Sequence, residues 1–136
     1  MKASEIIISN YDRIKQEMID LYKTVVSCNG RIQYSLYIWE DGEFERLEEP
    51  QGGNGWLKAK QYEPRQLFYI TYIDVGPGFS IWDYCEDGRP DDPKEAEELE
   101  SDIIDWLVCE YEANIDDVLD GIIRDKKEIE EIEEEL

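Results

Sequence analysis

PKEAEELESDIIDWLVCEYEANIDDVLDGIIRDKKEIEEIEEEL, residues 93–136, decides how the rest of the chain is read. Ala96, Leu99, Ile103, Trp106 and Leu107 recur at helical spacing, and Glu95, Glu98, Asp102 and Asp105 fall on the opposite face. Asp92 is placed to cap this helix, with Pro93 at the first helical position, where a missing N–H is no loss. Asn114 reads as the cap of a second helix running from Ile115 to Leu136, with Val118, Leu119, Ile122, Ile123 and Ile129 on its apolar side. Asp116, Asp117 and Asp120 then sit in its first turns, where the helix dipole favours anions. Two acidic helices are therefore expected at the C-terminal end.

From Asp83 onward there are 23 Asp or Glu against 5 Lys or Arg, so 18 of the chain's 21 net negative charges lie in this part. Solubility of a small domain needs a net charge of only about 2–8, and the excess costs stability through self-repulsion. A basic partner, bound cations or a salty environment would offset that cost. The same charge argues against direct binding to nucleic acid or to an anionic membrane. A composition of 41% hydrophobic residues with 16 aromatics (4 Trp, 9 Tyr, 3 Phe) still supports a folded core, unlike an acidic disordered tail.

Upstream, residues 4–28 place Ile7, Tyr11, Ile14, Met18, Leu21, Val25 and Cys28 at alternating steps of four and three, one continuous helical stripe ended by Asn29-Gly30. The stripe reads as core, or alternatively as a dimer seam. Residues 31–39 alternate, with Ile32, Tyr34, Leu36 and Ile38 on one face and Gln33, Ser35, Tyr37 and Trp39 on the other. Asp41-Gly42 signals a hairpin to a second strand at residues 43–48. Residues 50–65 form a connection with glycine-rich turns, whose Lys58, Lys60 and Arg65 read as solvated or as neutralising part of the acidic half. Residues 66–75 read as a central strand, and Gly76-Pro77-Gly78 turns the chain into a fourth strand over Phe79–Cys85. The expectation is an α+β domain spanning 1–136: a helix and a four-stranded antiparallel sheet of two hairpins in 1–85, then the acidic helical part in 86–136.

Chemistry is scarce. The chain has no histidine, which excludes His-based triads and general bases. Nucleophile-elbow, P-loop and zinc-helix motifs are absent. Asp83, Asp87, Gly88 and Asp91 match positions 1, 5, 6 and 9 of a calcium loop, but Lys94 stands where the bidentate Glu belongs and a strand, not a helix, leads in. No catalytic residue, metal site or cofactor is expected. Cys28, Cys85 and Cys109 are odd in number and widely spaced, fitting a reducing compartment. With no signal-peptide-like apolar run and no 18-residue apolar stretch, a cytoplasmic protein is expected.

Two features point to a partner. Tyr37 and Trp39 sit among polar neighbours, either as interface anchors or as core beneath the C-terminal helices. The rows Glu95, Glu98, Asp102, Asp105 and Glu112, Asp116, Asp117, Asp120 carry carboxylates about 5–6 Å apart. Successive phosphates of a nucleic-acid strand have a comparable separation, on the order of 6–7 Å. Lysine is nearly absent from these faces, where a merely soluble helix would interleave Glu–Lys pairs.

The whole-chain charge, the rows at Glu95–Asp105 and Asp116–Glu135, the lack of histidine and the small size together resemble the acidic nucleic-acid mimics of phages and mobile elements, such as anti-CRISPR and anti-restriction proteins. The resemblance is one of class and carries no specific motif. It implies a non-enzymatic, stoichiometric inhibitor that occupies the basic DNA- or RNA-binding groove of a nuclease, a CRISPR effector being one such target, in the host cytoplasm. Immunity proteins that neutralise toxin nucleases are similar in size and acidity. An adaptor that oligomerises through the first helix is the alternative, and a homodimer is compatible with it.

Overall fold

The computed structural model describes residues 3–39, 43–50, 67–76 and 78–135. In chain order the elements are α1 (Ala3–Ser9), α2 (Tyr11–Ser27), β1 (Ile32–Trp39), β2 (Phe44–Pro50), β3 (Leu67–Ile73), a 3-10 turn (Ile81–Tyr84) and α3 (Pro93–Glu135). The fold class is α+β. None of these helices is long and apolar enough to cross a membrane.

The first apolar stripe runs through α1 and α2 as expected, with a break at Asn10. There φ is −114° and ψ 17°, and the Asn10 side-chain amide donates to the Ile6 carbonyl at 2.9 Å. Asn competes with the helix in this way because its short amide reaches nearby backbone. α2 ends in a Schellman motif: Gly30 N–H donates to the Val25 carbonyl at 2.9 Å and Asn29 N–H to that of Val26 at 3.1 Å. Asn29 and Gly30 both have positive φ, 55° and 71°. The Asn29 side-chain oxygen then accepts from Ile81 N–H at 3.1 Å, tying the end of α2 to the 3-10 turn.

Three strands pair in the order β2-β1-β3, all antiparallel to their neighbours, so β1 is central. β1 and β2 form the expected hairpin, with Ile38 opposite Phe44 and Ile32 opposite Pro50. β3 falls where a central strand was expected but, among the described residues, pairs only with β1, across a register shift at Ile38/Trp39. The connection at residues 51–66, with its basic cluster, lies outside the described residues.

The fourth strand is not formed. Phe79–Cys85 instead contains the 3-10 turn, started by Ser80, whose hydroxyl accepts from Trp82 N–H at 3.2 Å. A serine that caps locally gives the backbone an alternative to ladder pairing. The two C-terminal helices are likewise one, α3, of 43 residues and about 64 Å in contour at 1.5 Å per residue. Its beginning is as expected: Lys94 N–H bonds the Asp92 carboxylate at 3.2 Å. Asn114 lies inside the helix, its side chain donating to the Glu110 carbonyl at 2.9 Å. Continuity wins because Leu107, Ile115 and Leu119, with partly buried Tyr111, keep one apolar stripe running across the expected boundary.

α3 lies antiparallel to α1–α2. Val26 packs with Ile103, Ile104 and Leu107; Tyr22 stacks on Tyr111 at 4.0 Å; Ser4 bonds Glu130. Ile14, Met18, Leu21 and Val25 share a core with Leu36, Ile38, Ile115 and Leu119. α2 packs on the sheet face that carries Leu36 and Ile38, and α3 joins the same core through Ile115 and Leu119; the alternative in which the C-terminal helices cover the opposite face, over Tyr37 and Trp39, does not occur among the described residues. The stripe considered as a dimer seam is buried within the chain.

Asn114→Ala should be neutral or stabilise by about 0.5 kcal/mol, since Ala is the better helix former; if Asn114 were a cap, the same change would cost about 0.5–2 kcal/mol. Urea unfolding followed by circular dichroism reads the sign. Gly30→Ala should destabilise by about 1–3 kcal/mol, because a Cβ there would stand 2.6 Å from Val75 Cγ2 at a positive φ.

Candidate nucleic-acid-mimic surface

The carboxylate rows owe their direction to the stripe beneath them. With Ala96, Ile103, Ile104 and Leu107 turned into the core, Glu95, Glu98, Asp102 and Asp105 project outward, and all four are exposed. Glu112 and Asp117 are exposed as well. The row from Glu95 to Asp105 spans about 15 Å of helix axis. Asp105 also borders a groove shared with Lys23, Glu97 and Glu100, where one lysine faces several acids.

Asp116 and Asp120 have a different role. Tyr11 donates its hydroxyl to Asp116 at 2.9 Å and lies 3.2 Å from Asp120, while Lys15 pairs with Asp116 at 3.1 Å. These contacts fasten the middle of α3 to the start of α2. Hydrogen bonding from Tyr11 and then Lys15 holds the Asp116 carboxyl below the usual carboxylate range. Desolvation, and then the two aspartates, push the Tyr11 hydroxyl above its ordinary range. Near the other end, the Glu130 carboxylate accepts from Ser4 N–H at 3.0 Å and from the Ser4 hydroxyl at 2.6 Å. It supplies the negative charge that the N-terminus of α1 favours.

Some of the basic side chains are engaged within the fold. Arg46 on β2 pairs with Glu17, and the Arg13 guanidinium lies 4.1 Å from the centre of the Phe44 ring. Arg124 reaches Asp125 at 3.6 Å on an exposed stretch of α3, a pair worth little in water. No cation is paired with Glu95, Glu98 or Asp102 among the described residues.

Tyr37 and Trp39 are not surface anchors. They are 1% and 0% exposed and form a small cluster with Leu47 on the sheet face away from the helices. The polar pattern around them does not report exposure, because Gln33 and Ser35 on the same face are buried too. Among the described residues, the large aromatics that do reach the surface are Tyr84 and Trp106, 51% and 53% exposed, with ring centres 5.9 Å apart. Sequence reasoning assigned Trp106 to the apolar face. Its position one turn beyond Asp102, on the edge of the acidic row, was the available signal. Around the calcium-like loop, no three Cys, Asp or Glu side chains converge in a way that could hold a metal ion among the described residues.

The raised Tyr11 hydroxyl favours the neutral form in the folded protein, so its contribution is present below pH 10, the unfolded value, and is lost as pH rises beyond it. Asp116 acts in the opposite sense: its contribution holds above its ordinary 3.8 and is lost as pH falls below that. Thermal unfolding should therefore show a decline in stability above about pH 10 that Tyr11→Phe flattens, and an acid-side decline that Asp116→Asn flattens.

Comparison with protein-family models, with curated proteins and with solved structures found no match.

Proposed function

We propose that the chain is a non-enzymatic inhibitor, acting in the host cytoplasm, that presents the outer face of α3 to the basic nucleic-acid-binding groove of a nuclease. The observation that carries this reading is the row Glu95, Glu98, Asp102 and Asp105, exposed together on one unbroken 43-residue helix. A single helix fixes the spacing of its carboxylates in advance, so little conformational entropy is lost when they meet a row of Arg and Lys. The net charge of −21 steers such a partner in from a distance. Glu112 and Asp117 extend the same surface toward the middle of the helix, while Asp116 and Asp120 contribute mainly by holding α3 in place. A CRISPR effector fits as target because it carries a positively charged channel for a nucleic-acid duplex. A toxin nuclease would engage the same face.

The test is capture from host lysate on the immobilised protein, eluted first with duplex DNA and then with salt. A nucleic-acid enzyme released by DNA supports mimicry; a partner indifferent to DNA refutes it. With that enzyme in hand, the combination Glu95→Gln, Glu98→Gln, Asp102→Asn and Asp105→Asn should weaken inhibition about 30-fold to 800-fold, at roughly 0.5–1 kcal/mol per contact. The fold should persist, since all four side chains are exposed. Unchanged inhibition by that variant would sink the reading.

A further inference from the structure

Tyr84 closes the 3-10 turn and Trp106 stands on α3, and between them is a shallow notch of about 260 Å³ lined by Tyr84, Asp102, Ile103 and Trp106. Phe79 supports Tyr84 from behind, with ring centres 6.1 Å apart. Two large aromatic rings stand half exposed side by side, and among the described residues no other exposed large hydrophobic side chain lines the notch. Their surroundings are anionic: Asp102 lines the notch, Asp83 precedes Tyr84 and is exposed, and Glu110 is one turn beyond Trp106 and exposed. A second copy of a chain carrying −21 would bring like charge to the same place. The volume is below the roughly 300 Å³ at which small-molecule pockets begin, which suits one side chain.

We propose that this notch receives an arginine side chain of the basic partner, with the guanidinium stacked on Trp106 and Tyr84 and paired with Asp102. Arginine is favoured over lysine because its planar, weakly hydrated cation stacks on aromatic faces and still donates in its plane to a carboxylate. The notch rests on the mimic reading and sharpens it. The acidic row accounts for attraction to any polycation, whereas an aromatic notch at its edge discriminates which cation seats there and anchors the register of α3 in the groove. A buried aromatic–arginine contact is the type of interaction that dominates binding energy at an interface.

The experiment uses the full chain and two fluorescein-labelled probes of equal charge, nona-arginine and nona-lysine, followed by fluorescence anisotropy at low salt. The wild type should bind nona-arginine about fivefold or more tightly than nona-lysine. Trp106→Ala and Tyr84→Ala should each remove most of that preference while nona-lysine affinity stays within about twofold, and Trp106→Phe should retain part of it. Circular dichroism checks that each variant is folded. Neutralising Glu95, Glu98 and Asp105 should weaken both probes alike. If Trp106→Ala leaves the preference unchanged, or if there is no preference, the arginine notch is wrong while the acidic-row reading stands. If neither probe binds, both fall.

Discussion

The apolar stripe of α3 packed antiparallel along α1 and α2 is the interaction on which everything else depends. Ile115 and Leu119 share a core with Ile14, Leu21 and Val25 of α2 and with Leu36 and Ile38 of the central strand, while Leu107 packs with Val26 at the end of α2. Hydrophobic burial of this kind is the main favourable term available to offset both chain entropy and the repulsion among the acids. It is nondirectional, so the polar contacts set the register: Tyr11 and Lys15 at Asp116, Ser4 at Glu130, and the stacked rings of Tyr22 and Tyr111. Each places an anion or an aromatic of α3 against a donor or ring of the N-terminal helices.

The same docking sorts the carboxylates of α3 into two groups. Those on the flank of the buried stripe, Asp116 and Glu130, are drawn into hydrogen bonds with the body of the protein. Those opposite the stripe, from Glu95 to Asp105, are exposed, with Asp102 beside the Tyr84 and Trp106 rings and Asp105 bordering the groove that holds Lys23. Charge density read along the chain cannot make that distinction, because both groups have the same residue types at the same spacing. The functional reading narrows accordingly from eight acids to an outer face that is free to meet a partner.

The aromatic residues show a related exchange. Tyr37 and Trp39 have polar neighbours at alternate positions, which reads as an exposed strand face; in the fold the whole run from Ser35 to Trp39 is buried, the polar Ser35 included, with Leu47 packed against the two aromatics. Trp106 has apolar neighbours and reads as core. It is displaced from the stripe far enough to emerge beside Tyr84, which itself reaches the surface only because Ser80 starts a 3-10 turn where β-propensity favoured a strand.

Local chemistry carried much of the architecture. The helical stripe from Ile7 to Val25, the Asn29-Gly30 stop, the first hairpin, the strand at Leu67–Ile73 and the Asp92-Pro93 helix start all follow from periodicity, turn residues and caps, which act over a few neighbours. The break expected at Asn114 did not occur, although the continuous four-residue spacing across it was legible. A capping residue and an unbroken stripe were in conflict there, and packing against α2 resolved it in favour of the stripe. The composition alone determined an acidic chain without histidine chemistry. Only the tertiary structure decided which carboxylates face outward and which aromatics stand beside them, because that depends on which side of α3 the rest of the chain covers, and covering is a property of contacts distant in sequence.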